Sequence, residues 1–224
     1  MAEAVMDSSE RPGGPRSRKG MRTRARLVDA AKQIFEEQGF LDARVSDIAE
    51  RAGLSHGSFY HYFESKDEVF LEVADAQQER VSGGTLGDRL LLSTYPELET
   101  GELMRRYCRN YLEHYQADAR LMGVIEQVTR THEEFRRTRA GHQERYIEQA
   151  IEGLELLQAA GRADRSLDAR VVGPALTGMV TRFAEMWLVE KTVDCSLDEA
   201  VDNLATLLLN ALGVARLAPA GTSD

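Results

Sequence analysis

Apolar residues in this 224-residue chain recur at three- and four-residue intervals from Leu27 to Leu212, and no stretch alternates with period two. That spacing belongs to helix faces and leaves no candidate strand. The fold class expected is therefore all-α. Glycines and polar caps divide the pattern into a small N-terminal three-helix unit and a larger helical bundle behind it.

A first helical period begins at Thr23, with Leu27, Ala31, Ile34 and Phe35 on one face, and Gly39 stops it. A short helix follows over Val45–Ala52 and ends at Gly53. The next starts after Ser55 and carries Phe59 and Phe63 at i, i+4. Ser65 and Glu68 read as a capping box opening a fourth helix to about Arg80, with Val69, Phe70, Val73 and Ala76 inward. Residues 82–98 read mainly as loop, with a short helix at Leu86–Leu92. Further helices are expected over Glu102–Gln116, Arg120–Thr129, Glu133–Ala160 and Asp168–Lys191. Ser196 and Glu199 form a second capping box, opening a last helix that Gly213 closes.

Residues 45–63 have the layout of a helix-turn-helix: a short helix, a tight turn at Gly53 and a second helix capped by Ser55. Ala49 is small where the two helices cross, and Ile48, Leu54, Phe59 and Phe63 face inward. Ser55, His56, Gly57, Ser58, Tyr60 and His61 are left on the outer face. Hydroxyl and imidazole groups there can read base edges in a major groove, and Gly57 permits close backbone approach.

The run Arg26-Leu-Val-Asp-Ala-Ala-Lys-Gln-Ile-Phe-Glu-Glu-Gln-Gly-Phe40, followed by Asp47-Ile-Ala49, Ala52-Gly53, Phe59-Tyr60, Tyr62-Phe63 and Ser65-Lys66-Asp67-Glu68, resembles the DNA-binding domain of the TetR family of bacterial transcription regulators. The resemblance covers about residues 22–70. It implies a base-reading helix over Ser55–Tyr62, with Tyr60 and Lys66 on phosphates. Arg44 stands where the family usually has a capping Thr; that loses about 1 kcal/mol of cap and offers a further cation for phosphate. Ser46, beside it, completes the expected DNA-binding set of Arg44, Ser46, Ser55, His56, Gly57, Ser58, Tyr60, His61 and Lys66.

The resemblance further implies a ligand-responsive regulator, a repressor in the family's commoner mode. It would be a homodimer bound to double-stranded DNA at a palindromic operator and released by a small-molecule effector. Its dimer contact would be the last two helices. The final helix is apolar on more than one face, through Leu197, Val201, Leu204 and Leu208 and then Ala205, Leu207, Leu209 and Ala211. The bundle also holds many large adaptable side chains. Tyr107, Tyr111, Met122, Ile125, Tyr146, Met179, Phe183 and Trp187 are the expected ligand-binding set, with Tyr115, Phe135 and Met186 nearby and His114, Arg130 and Arg182 as polar anchors. Such a lining suits a mainly apolar or aromatic effector. The alternative is a helical small-molecule or protein-binding module without operator binding.

Charge agrees with this division. The chain's net charge is −9, yet residues 1–65 balance 10 cations against 10 anions, while the remainder holds 18 against 27. Six cations and no acid lie between Arg16 and Arg26. The expected organisation is a disordered basic tail over 1–20, a DNA-binding domain over 21–67, a ligand and dimer domain over 68–215 and a tail over 216–224. Two distant cysteines, Cys108 and Cys195, make neither a disulfide framework nor a zinc spacing. No apolar run reaches the roughly 20 residues of a membrane span, so the expected location is cytoplasmic. Glu133 and Glu134 are adjacent and diverge on a helix, and His132 and His142 lack partners at ligand spacing. Neither enzyme activity, metal nor cofactor is expected.

Overall fold

The computed structural model describes residues 17–82 and 97–214. The expected terminal tails up to residue 16 and over 216–224, and the short helix at 86–92, lie outside the described residues. The elements are α1 (Arg18–Asp42), α2 (Val45–Arg51), α3 (His56–Phe59), α4 (Lys66–Ser82), α5 (Thr100–Ala117), α6 (Ala119–Thr131), α7 (Glu133–Ala159), α8 (Ala169–Ala184), a π-helical turn (Glu185–Val189) and α9 (Leu197–Ala211). No strand occurs among the described residues. The fold is all-α, and none of the described helices is long and apolar enough to cross a membrane.

The chain divides into two compact units, residues up to 74 and residues from 75 on. The division falls inside α4, the helix at whose start the sequence reading set its boundary.

In the first unit α1 begins at Arg18, before the Thr23 start read from periodicity, because the Ser17 hydroxyl accepts from the Gly20 N–H and caps it. The first two turns carry no apolar repeat, so periodicity alone cannot find them. Gly39 breaks the helix with φ +76°, as expected, and a further helical turn reaches Asp42. Leu27, Ala31, Ile34 and Phe35 are buried, and so are Ile48, Ala49, Phe59 and Phe63. Phe35, Phe40 and Phe70 form an aromatic core, with centroids 5.0 Å apart for Phe35–Phe70 and 4.8 Å for Phe40–Phe70.

Two expectations for α4 need correction. The Ser65 hydroxyl does accept from the Glu68 N–H at 3.1 Å, but the Glu68 carboxylate takes the Glu64 N–H rather than that of Ser65. The inward stripe is Val69, Phe70, Val73 and Gln77; Ala76 is exposed and Gln77 is fully buried. The i, i+4 continuation from Val73 is position 77, and reading by polarity passed over it.

In the second unit α7 packs on α8 and α5 on α9, while α6 meets α7 and the π turn. Paired charges fasten α5 to α9, Arg109 to Asp198 at 2.6 Å and Arg105 to Asp202 at 3.1 Å. Ser196 and Glu199 make both arms of the expected capping box. The expected helix to Lys191 is not continuous. The α-helix stops at Ala184, and the Glu190 N–H reaches five residues back to the Glu185 carbonyl. Arg182 grips Glu185 and Glu190 at 2.6 and 2.9 Å, and Arg130 of α6 also reaches Glu185, so ion pairs secure the wide turn.

The α7–α8 crossing rests on one glycine. A Cβ at Gly173 would stand 3.0 Å from the carbonyl carbon and oxygen of Ala150 and 3.1 Å from the Ile151 nitrogen. The backbone of α7 cannot yield as a side-chain tip does. Gly173→Ala is expected to lower unfolding stability by about 1–3 kcal/mol, measured by urea denaturation. An unchanged midpoint would show that the crossing has slack.

Candidate nucleic-acid interface and effector site

The first unit presents α3 as a short platform. Ser55 caps it, its hydroxyl accepting from the Ser58 N–H at 3.2 Å and lying 2.7 Å from the Ser58 hydroxyl. The helix proper ends at Phe59, earlier than the sequence reading had it, and hydrogen-bonded turns carry the chain to Phe63. Phe59 and Phe63 anchor it from beneath. His56, Gly57, Tyr60 and His61 are exposed, and Ser58 is half-buried. A Cβ at Gly57 would meet nothing within 4 Å, so the backbone there is open to close approach. The Tyr60 ring stands edge-on to His56 at 5.3 Å and to Phe59 at 5.4 Å, which limits its freedom while its surface stays exposed.

The turn that aims α3 is held from α1. Gly53 takes φ +65°, and the Arg26 guanidinium donates to the Ala52 carbonyl. A Cβ at Gly53 would lie 3.1 Å from that guanidinium. Arg24 pairs with Glu72 and covers the Phe63 ring at 4.6 Å. Arg51 holds Glu37 at 2.7 Å, and this hydrogen bond keeps the Glu37 carboxyl below the ordinary range. These cations are committed within the unit. Among its described residues Arg18, Lys19, Arg22 and Arg44 have no such partner and are exposed. Arg44 sits at the N-cap of α2 with no side-chain cap, and the Ser46 hydroxyl donates to Asp47 at 2.9 Å.

Lys66 behaves differently from a surface cation. Its ammonium donates to the carbonyls of Phe40 at 2.6 Å, Leu41 at 3.2 Å and Ala43 at 2.9 Å, and lies 4.6 Å from the Phe40 ring centroid. All three N–H groups are engaged at the end of α1. In this state the side chain clamps that end, and a phosphate would have to displace one carbonyl. Charge-assisted bonds of this kind contribute about 1.5–3 kcal/mol, so Lys66→Met is expected to cost that much in a denaturant titration. A variant as stable as the parent would show the clamp to be slack.

In the second unit, the described residues of the expected ligand-binding set lie on α5, α6, α8 and the π turn. Tyr107, Tyr111, Met122, Ile125 and Trp187 are buried, and Met179 and Phe183 half-buried. The Tyr146 side chain lies outside the described residues. The Tyr111 hydroxyl donates to the Thr181 hydroxyl at 3.3 Å, tying α5 to α8, and the Trp187 indole N–H donates to the Cys195 carbonyl at 3.0 Å. The polar anchors expected from sequence point elsewhere. His114 is exposed beside the Asn110 carbonyl, and Arg130 and Arg182 are exposed and paired with glutamates. Their outward faces follow from helical phase. Polar groups that do enter the interior are Gln77, Thr100 and Thr177, of which Gln77 alone has no exposed surface; the sequence reading missed it.

Burial pushes the Cys108 thiol up to about 12, and Cys195 is raised by burial and by Glu199 and Asp194. Neither is a ready thiolate. Among the described residues no group of three or more His, Cys, Asp or Glu side chains is placed to hold a metal.

Comparison with known proteins places both units. Residues 27–73 match the family described as bacterial regulatory proteins, tetR family, and residues 104–213 match the C-terminal domain of the transcriptional regulator EthR. An uncharacterized HTH-type transcriptional regulator of Bacillus subtilis, YdgC, is 30% identical over 83% of this chain and 92% of its own length. Among solved structures, a TetR-family regulator from Mesorhizobium loti superposes with TM-score 0.72 at 17% identity, over 88% of this chain and 96% of that one. The fatty acid degradation regulator FadR from Bacillus halodurans gives 0.68 at 24% identity, over 85% and 96%. The chain belongs to the TetR family of transcriptional regulators, with a helix-turn-helix DNA-binding domain and a ligand-binding C-terminal domain.

Proposed function

We propose that this protein is a cytoplasmic repressor that binds a palindromic operator as a homodimer and leaves it when a mainly apolar or aromatic small molecule enters the second unit. The observation that carries the DNA-binding half is the sorting of cations. Arg24, Arg26, Arg51 and Lys66 are spent inside the first unit, whereas Arg18, Lys19, Arg22 and Arg44 are exposed and have no partner among the described residues. Arg18 and Lys19 stand in the first turn of α1, which carries no acid. Cations there oppose the helix dipole, a cost that a bound phosphate reverses. Ser55, His56, Gly57, Ser58, Tyr60 and His61 then supply base and backbone contacts, with Ser46 beside Arg44.

Two observations support a dimer through α8 and α9. Each has one side covered, by α7 and α5 respectively. Each leaves apolar surface bare: Val171 is 66% exposed and Leu207 51%, with Ala175 and Ala211 also exposed. A four-helix contact between two copies would cover these. Two recognition helices in such a dimer read half-sites about 34–36 Å apart, or a multiple of that spacing. An effector that binds the mismatched arrangement better, by about 1–3 kcal/mol, lowers operator affinity 5–150-fold.

The test is a salt series on any duplex, since non-specific binding already reports phosphate contacts. Arg18→Gln, Lys19→Gln, Arg22→Gln and Arg44→Gln are each expected to lower the slope of log affinity against log salt by about one. Arg51→Gln, whose parent side chain is already paired, is expected to leave it unchanged. Equal slopes for all five variants would overturn this assignment of contacts.

A further inference from the structure

We propose that Gln77 is the hydrogen-bond donor of the effector site, and that the effector is a neutral apolar molecule carrying a carbonyl oxygen. This rests on reading the second unit as effector-binding. Gln77 lies on α4 with no exposed surface, four residues after buried Val73 on the same face. A leucine would suit that position without cost. The amide has instead one satisfied end and one open end. Its oxygen accepts from the Arg80 guanidinium at 2.5 Å, while its nitrogen has no hydrogen-bond partner among the described residues.

The orientation of the amide follows from chemistry. Turning it over would set an NH2 group against a guanidinium, donor against donor. Arg80 therefore fixes the nitrogen away from itself. Arg80 is located in turn by Asp118, at 3.7 Å, at the joint between α5 and α6. Those two helices carry Tyr107, Tyr111, Met122 and Ile125.

A buried amide N–H without an acceptor is a net cost to folding, and native structures keep few of them. An acceptor on the ligand removes that cost on binding. A carboxylate would bring a buried charge, and the nearby cation is already matched by Asp118. A neutral carbonyl needs only the N–H that is open. The contact would also fall on α4 itself, the helix whose first residue, Lys66, clamps the end of α1.

A matched pair of probes tests this on the full chain: benzophenone and diphenylmethane, alike in size and differing by a carbonyl. Calorimetric titration of the unaltered protein is expected to give several-fold to about tenfold tighter binding of benzophenone. In Gln77→Leu that preference is expected to vanish, and the unliganded variant is expected to melt higher than the parent. Gln77→Met serves if the leucine variant does not fold, and the preference of the unaltered protein is informative without either. Equal binding of both probes to the unaltered protein, or a preference that survives in the variant, overturns the role of Gln77 while leaving an apolar effector site standing. A variant that melts lower, its preference intact, assigns the amide to a trapped water. If neither probe binds the unaltered protein, the effector reading fails and the proposal falls with it.

Discussion

The Lys66 ammonium on the last carbonyls of α1 is the contact on which the first unit turns. Gly39 interrupts α1 in a left-handed conformation, and the turn that follows leaves the Phe40, Leu41 and Ala43 carbonyls without helical partners. Such a terminus needs donors, and one side chain from α4 supplies three. The same residue lies over Phe40, which joins Phe35 and Phe70 in the aromatic core. One cation therefore ties the end of α1, the entry to α2 and the start of α4. From the other end of this arrangement Arg26 pins the helix-turn-helix turn at Ala52. The platform of α3 inherits its position from these two cations, both engaged within the unit.

The second unit follows another rule. Its interior is mainly leucine and other aliphatic side chains, among which Tyr107, Tyr111, Tyr115, Met122, Phe135 and Trp187 are larger groups able to fill irregular space. Its ionic groups are arranged outside, where Arg130, Arg182, Glu185 and Glu190 secure the π turn. Among its buried polar groups Gln77 has no exposed surface, its oxygen held by Arg80 and its nitrogen without a hydrogen-bond partner among the described residues. The two units thus handle their polar groups in opposite ways. The first spends some cations on its own carbonyls and carboxylates and leaves others exposed. The second keeps charge at the surface and leaves a neutral donor within.

Much of this was legible in the residues. Helix existence followed from periodicity, and the ends at Gly39, Gly53, Gly161 and Gly213 fall at positive φ. Ser55 and the Ser196–Glu199 box cap as their spacing requires. The departures have separate causes, some local and some distant in sequence. The first turns of α1 have no apolar repeat and are capped by Ser17. The break after Ala184 depends on Glu185 and its arginines, and nothing in the local pattern marks it. Lys66 has the spacing of a phosphate contact, and its bonds to three carbonyls more than twenty residues upstream are an additional role that local pattern does not mark. Gln77 was passed over because a polar residue on a helix is more often outside than in.

The most direct measurement of operator binding by a dimer is selection of bound duplexes from a random-sequence pool by the 224-residue chain, followed by sequencing. A dimeric operator-binding regulator is expected to select an inverted repeat whose half-site centres are one helical turn, or a multiple of it, apart. A single unrepeated site, or no enriched sequence from protein shown to be folded, would contradict a dimeric operator-binding regulator.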